Sequence, residues 1–241
     1  MLSKAKPLTK RAKRELRKQE KLTVNAGMQM EKIQPLTENQ ARAFESWAYD
    51  KDLFLHGSAG TGKTLIAFYL GLQEVINGNA DRVIVIRSVV PSREMGFLPG
   101  SEKEKMKVYE LPYYDVCKVL YNRGDAYEIL KQKGIVEFIS TSHIRGMTFD
   151  NAVIVVDECQ NMAWMELNTI MSRIGNYSRF IFAGDTKQSD LDERKGKHDL
   201  QKMIHVCKNM NCFDFIQMTP DDVVRSGKAK QYILACEQLG L

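Results

Sequence analysis

The chain has no run approaching the ~18 consecutive apolar residues of a membrane-spanning helix. Met1-Leu2-Ser3-Lys4 leads into charge and not into the apolar stretch of a secretory leader. Both absences point to a cytoplasmic protein with no membrane partner. Cysteine is scarce and lacks a metal-site pattern: Cys117, Cys159, Cys207, Cys212 and Cys236 contain no C-x-x-C spacing. His205, Cys207 and Cys212 lie close enough in sequence to suggest zinc, but reduced thiols in a reducing compartment are the expectation. No internal repeat is found, and no low-complexity segment beyond the first residues.

What is present fits one globular unit. A chain of 241 residues holds one domain of ~200 residues plus an appendage, and hardly two full nucleotide-binding lobes. The formal charge of +5 is unevenly placed. Residues 1–21 carry nine Lys or Arg against Glu15 and Glu20, a local +7, so the remaining 220 residues sum to −2. Leu8, Ala12 and Leu16 would make only a thin helical stripe, too little for a core. Such an arm can bind RNA or DNA phosphates through counterion release, or serve solubility alone. With a short linker through Gln34-Pro35, residues 1–33 read as arm and linker and 34–241 as the domain.

Thr37-Glu38-Asn39-Gln40 opens a helix to about Asp50 with a capping-box pattern. Apolar runs then recur at Leu53–Leu55, Val83–Ile86, Val136–Ile139, Val153–Val156, Phe180–Phe182 and Phe213–Ile216. Short, β-branched-rich runs of this kind suit strands buried on both faces, as in a mainly parallel sheet covered by helices. Trp164, Leu167, Met171 and Ile174 mark a helix between the fourth and fifth runs, and Ala229, Ile233 and Cys236 mark the last helix. The segment from Pro91 to Lys107 reads as a loop, with Phe97, Tyr109, Tyr113 and Tyr114 near it as packing residues or stacking aromatics.

Gly57-Ser58-Ala59-Gly60-Thr61-Gly62-Lys63-Thr64 fits G-x-x-x-x-G-K-[ST], between an apolar run and a helical pattern of Leu65, Phe68, Leu72 and Val75. That context directs backbone N–H groups and the positive end of a helix dipole at a polyphosphate. Lys63 would reach the outer phosphates and the Thr64 hydroxyl would complete a Mg²⁺ shell. The run Ala152 to Val156 ends in Asp157 and Glu158. A buried strand delivers both acids to its C-terminal edge, where open α/β sheets bind ligands. Asp157 is the candidate that holds Mg²⁺ from behind its inner ligands or through water, and Glu158 the candidate that polarises an attacking water. A third strand tip, Gly184-Asp185-Thr186-Lys187-Gln188, offers Gln188 as a reporter of the γ-phosphate or as a turn residue. Gln40 either caps its helix by reaching back to the Thr37 backbone or reads an adenine edge. No N-K-x-D sequence is present to read guanine, which favours ATP.

Five segments together resemble the PhoH-like ATPases, a single-domain branch related to superfamily 1 helicases. They are Gly57–Thr64, Gly96–Gly100, Asp157–Asn161, Gly184–Gln188 and Asp222–Arg225. The resemblance covers residues from about 33 to the end, and the compact C-terminal end and short basic arm look closer to bacteriophage versions than to longer bacterial ones. Cys159 departs from the family pattern, where alanine is more usual. The resemblance implies a RecA-like core, ATP hydrolysis with Mg²⁺, association with single-stranded RNA or DNA, and a homo-oligomeric ring, a hexamer by analogy. Superfamily 1 helicases place ATP between two lobes, and only one fits here, so a neighbouring subunit is expected to complete the site. Arg225 is the first candidate for the arginine it supplies, or a residue paired to Asp221 or Asp222; Arg145 is the second. Arg87 and Ser88 at a strand end, with His143 and Arg145 in Thr141–Gly146, are the nucleic-acid candidates. The expected activity is a motor or remodeller on single strands, RNA ahead of DNA. The rivals are an ATPase acting on a protein, a small-molecule kinase and a nucleotide-gated assembly factor.

Overall fold

All six apolar runs become strands. The computed structural model describes residues 28–89, 102–185, 193–225 and 227–239. In it β1 (Asp52–Gly57), β2 (Arg82–Arg87), β3 (Val136–Ser140), β4 (Ala152–Val156), β5 (Arg179–Gly184) and β6 (Phe213–Met218) form one sheet in the order β3-β2-β4-β5-β1-β6. Every pairing is parallel. Successive residues alternate between two cores, as the pleat requires. Leu53, Leu55, Val83, Val85, Val153 and Val155 join one cluster, while Phe54, Ile84, Ile86, Ile154 and Val156 join the other.

The first cluster is covered by α1 (Glu38–Ala48), α2 (Lys63–Ile76), α3 (Glu102–Tyr121) and α4 (Ala126–Gln132); the second by α5 (Trp164–Met171) and α6 (Glu193–Lys208). A last helix, α7 (Gly227–Leu239), follows β6. Helices on both faces force each strand to be apolar on both sides, which is why the runs read as continuous rather than alternating. Strand β5 lies between β1 and β4, so the acids after β4 stand one strand away from the glycine-rich turn after β1. That is the arrangement expected of a RecA-like core. Among the described residues no helix is long and apolar enough to cross a membrane.

Three expectations change. Residues 102–107, read as loop, begin the 20-residue α3, which continues through Pro112. Proline deletes a helical donor, but buried Tyr113, Cys117 and Leu120 on the following turns hold this helix to the sheet. Helix α5 stops at Met171, and Ile174 instead makes a single bridge to Phe149. The packed body also extends upstream of residue 34: Met28, Met30 and Ile33 lie against the first cluster, and Glu31 N donates to Leu120 O at 2.7 Å. The basic arm through residue 21 and the Gly96–Gly100 segment lie outside the described residues.

Candidate nucleotide-binding site

The turn after β1 is built around glycines at positive φ, a conformation that strains any residue with a side chain. Gly57 has φ +116°, and a Cβ there would sit 2.0 Å from Met218 O on β6. Gly62, at φ 83°, is the N-cap of α2 and provides no side-chain cap. The first N–H groups of α2 are therefore left to a ligand, and they carry the positive end of the helix dipole. Lys63 Nζ donates to Gly57 O at 2.8 Å and Ser58 O at 2.7 Å, holding the amine over the loop. Burial lowers the pKa of Lys63, against the opposing pull of Asp185, Glu158 and Asp157. Thr61 Oγ1 donates to Ser58 O at 2.9 Å and closes the turn.

Thr64 Oγ1 donates to Asp157 Oδ1 at 3.0 Å, so two residues 93 positions apart meet at one point. Asp157 is buried, and burial, then the adjacent Glu158, push its pKa up to about 6, while Arg87, Thr64 and Tyr113 pull it down. A carboxylate and a hydroxyl in contact, with buried negative charge wanting a counterion, fit a hard divalent cation that keeps most of its waters. Glu158 takes the left-handed conformation, φ 51°, a strain of order 1–2 kcal/mol that a non-glycine residue keeps when the surroundings demand it. Gln160 meets that demand: its Nε2 donates to Glu158 Oε2 at 2.5 Å, and its Oε1 accepts from Asp185 N at 3.0 Å. The buried amide thus ties the tip of β4 to the tip of β5.

These groups face one cavity of about 360 Å³, lined by Ala59, Gly60, Gly62, Lys63, Thr64, Asp157, Glu158, Asp185 and Arg225 among others. Arg225 lines the pocket of its own chain. A Cβ on Gly60 would lie 3.2 Å from Arg225 Cδ, and Val224 N donates to Gly60 O at 3.2 Å. Of the two acids expected as alternative partners, Asp222 has its carboxylate engaged elsewhere: it accepts from Thr219 N, Thr219 Oγ1 and Asn39 Nδ2.

A family model described as PhoH-like protein matches residues 32–237. The chain belongs to the PhoH-like family. It is 33% identical over 208 residues to a PhoH-like protein of Synechocystis, covering 83% of this chain and 62% of that one. It is 35% identical over 171 residues to a PhoH-like protein of Bacillus subtilis, covering 70% and 53%. The chain thus spans little more than half the length of these curated relatives. Among solved structures it is similar to Bacteroides Pif1 bound to single-stranded DNA, with TM-score 0.42, 11% identity and coverage of 86% and 46%. The Sulfolobus solfataricus SWI2/SNF2 ATPase core with double-stranded DNA gives TM-score 0.44, 13% identity and coverage of 78% and 46%.

Within this PhoH-like chain, Gln40 departs from the expected cap. Its Oε1 accepts from Leu36 N at 2.8 Å, not from Thr37, and its Nε2 donates to Thr61 O at 3.0 Å. The side chain ties α1 to the turn. Arg87 and Ser88 do not face outward as nucleic-acid contacts would. Ser88 is buried and donates to Glu166 Oε1 at 3.1 Å. Arg87 is turned to Tyr113, Asp157 and Glu158; burial acts to lower its pKa, and those groups more than offset it. His143 and Arg145 are exposed, His143 Nδ1 lying 2.7 Å from Ser140 Oγ. Since Arg87 and Ser140 are register partners and His143 lies against Ser140, the candidates Arg87, Ser88 and His143 stand at the tips of β2 and β3. Gln188 lies outside the described residues. Gln160 and Asp185 were missed as site residues, although both stand inside the segments that carry the family resemblance.

Proposed function

We propose that this protein binds ATP with Mg²⁺ and hydrolyses it to ADP and phosphate, and that turnover serves the binding or remodelling of single-stranded nucleic acid, RNA ahead of DNA. The carrying observation is the convergence of three strand ends: the uncapped α2 after β1, Asp157 and Glu158 after β4, and Asp185 after β5. The N–H groups of Gly60 to Thr64 bind the phosphates, and Lys63 leaves its two carbonyl partners to meet them. Thr64 and Asp157 would hold the cation. Bound there, Mg²⁺ would supply positive charge against the negative charge that develops on the phosphates. Glu158, fixed by Gln160, orients a water and takes its proton. Gln40 keeps the turn in register with α1. Arg225 supplies positive charge at the phosphates from the same chain.

Arg145 and His143, exposed beside the tip of β3, are the side chains offered to a nucleic-acid backbone. By family resemblance the working form is a homo-oligomeric ring, a hexamer. The resemblance and the pair of acids one strand from the phosphate turn both favour hydrolysis over transfer to a small molecule.

Phosphate release without an acceptor is the direct test. Lys63→Ala should abolish binding of a fluorescent ATP analogue. Glu158→Gln should keep the binding and slow release by ~10²–10⁴-fold, the usual worth of a general base. Wild-type turnover in Glu158→Gln overturns the hydrolytic assignment. Single-stranded RNA should raise the rate, and the effect should fade with added salt. A rate indifferent to RNA and DNA directs the search to a protein substrate. Nucleotide-dependent assembly with turnover at background identifies an assembly factor instead.

A further inference from the structure

Tyr113 does not line the nucleotide cavity, yet it touches the carboxylate at the centre of the site. It lies on α3 with 0% of its surface exposed. Its ring stacks on Phe68 of α2 at 5.1 Å and tilts against Phe138 of β3 and Tyr127 of α4. Such packing leaves the ring no freedom and aims the hydroxyl one way. It donates to Asp157 Oδ2 at 3.0 Å. The Arg87 guanidinium, at the end of β2, lies near enough to act electrostatically on the same hydroxyl and on Asp157. The other carboxylate oxygen, Oδ1, accepts from Thr64.

A phenol in an aromatic cluster costs free energy unless its hydroxyl is bonded, and phenylalanine would fill the same volume without that demand. The hydroxyl therefore belongs to Asp157 more than to the core. With one donor on each oxygen, from α2 and from α3, the carboxylate cannot rotate about its own axis. Glu158 cannot take over this role, because its side chain is committed to Gln160.

We propose that Tyr113, backed by Arg87, is a positioning residue that orients Asp157 for the divalent cation at Thr64. The inference rests on the nucleotide–Mg²⁺ reading above and adds to it a control from α3. Groups bonded to a metal-ligating carboxylate commonly set metal affinity, and their loss costs about 10–100-fold.

The test uses the full chain and two readouts besides turnover. Affinity for a fluorescent ATP analogue is measured in Mg²⁺ and in EDTA, and Mn²⁺ bound with the nucleotide is followed by electron paramagnetic resonance. Tyr113→Phe should match wild type in EDTA, while Mn²⁺ affinity and the Mg²⁺-dependent gain fall about tenfold. Tyr127→Phe removes a neighbouring hydroxyl that donates to Glu110 at 2.7 Å, and should keep the wild-type Mg²⁺ dependence. A fall in that variant too would assign the effect to packing and overturn the proposal. Arg87→Lys keeps the cation and loses the planar fork, and should shift the same way by a smaller factor. Undiminished Mg²⁺ dependence in Tyr113→Phe overturns the proposal; if that variant does not fold, the same result in Arg87→Lys does so. A wild-type protein without Mg²⁺-dependent nucleotide affinity overturns the nucleotide reading, and this inference falls with it.

Discussion

Asp52, the first residue of β1, accepts a hydrogen bond from Phe180 N at 2.9 Å across the β1–β5 pair. Burial pushes its pKa up to about 6, against that bond and the nearby Arg179. Because the folded value lies above the ordinary 3.8, the folded protein holds this proton more tightly than the unfolded chain does. The favourable contribution is complete below about pH 4 and fades as pH rises through about 6. Arg179 is also held by groups other than Asp52: it donates to Trp47 O and Lys51 O and lies over the Trp47 ring. Asp52→Asn keeps the acceptor for Phe180 N and removes the titration. Urea denaturation from pH 4 to 8 should show the variant gaining on wild type with pH, by about 2 kcal/mol at pH 8 after allowing for partial exposure. A constant difference across that range would contradict the assignment. The motif residues Lys63, Thr64, Asp157 and Glu158 were legible in sequence because their spacing next to a strand end already dictates their chemistry. Gln160 and Tyr113 were not, since their roles come from partners 25 and 44 positions away that only the fold brings near. Arg87 and Ser88 were assigned outward for the same reason: a strand end does not reveal which acids will wait beside it.

At the scale of elements, α2 is the part whose packing most directly sets the site, because its first turn is the phosphate cradle. It approaches the sheet closely at Gly71, where a Cβ would lie 3.1 Å from Val83 Cγ2 and 3.3 Å from Val153 Cγ1. Two opposed effects meet there. Gly→Ala in a helix interior gains about 1 kcal/mol in propensity, while inserting a methyl into a filled core costs about 1–3 kcal/mol. Val83 and Val153 are buried, β-branched and held in β2 and β4, so they give way poorly, and the packing cost should win. Gly71→Ala is expected to lower stability by about 1 kcal/mol in urea and to weaken nucleotide binding as the cradle shifts. A stabilised variant would mean that the sheet yields. The strands were legible because burial on both faces makes each a continuous apolar run. Helix α3 was not, because Pro112 and the charges near its start mimic a loop, and only contact with Phe68 and the sheet overrides them.

For the molecule as a whole, the C-terminal segment places an arginine of the same chain beside the glycine-rich turn. After β6 the chain turns at Pro220–Asp222, passes Gly60 at Val224 and Arg225, and enters α7. A Cβ on Gly60 would meet Ile233 Cδ1 at 3.1 Å as well as Arg225, so α7 and the phosphate turn are in van der Waals reach. Arg225 is thereby held at the site by its own backbone. Supplying an arginine to transferring phosphate is worth ~10³–10⁵ in rate, whether the residue comes from the same chain or another. Arg225→Ala should therefore bind the ATP analogue and release phosphate ~10³-fold more slowly or worse. Mixing that variant with Lys63→Ala separates the two sources. In a ring that shares arginines between subunits, a Lys63→Ala chain would lend Arg225 to the intact phosphate turn of its neighbour, and activity would return on mixing. With Arg225 serving its own pocket, no hybrid contains a complete site, because one chain lacks the lysine and the other the arginine. The placement of Arg225 beside Gly60 predicts the second outcome: phosphate release stays at the level of the separate variants at every mixing ratio. That outcome would assign Arg225 to the pocket of its own chain, and any catalytic arginine from a neighbour, if light scattering finds a ring, would have to be a different residue.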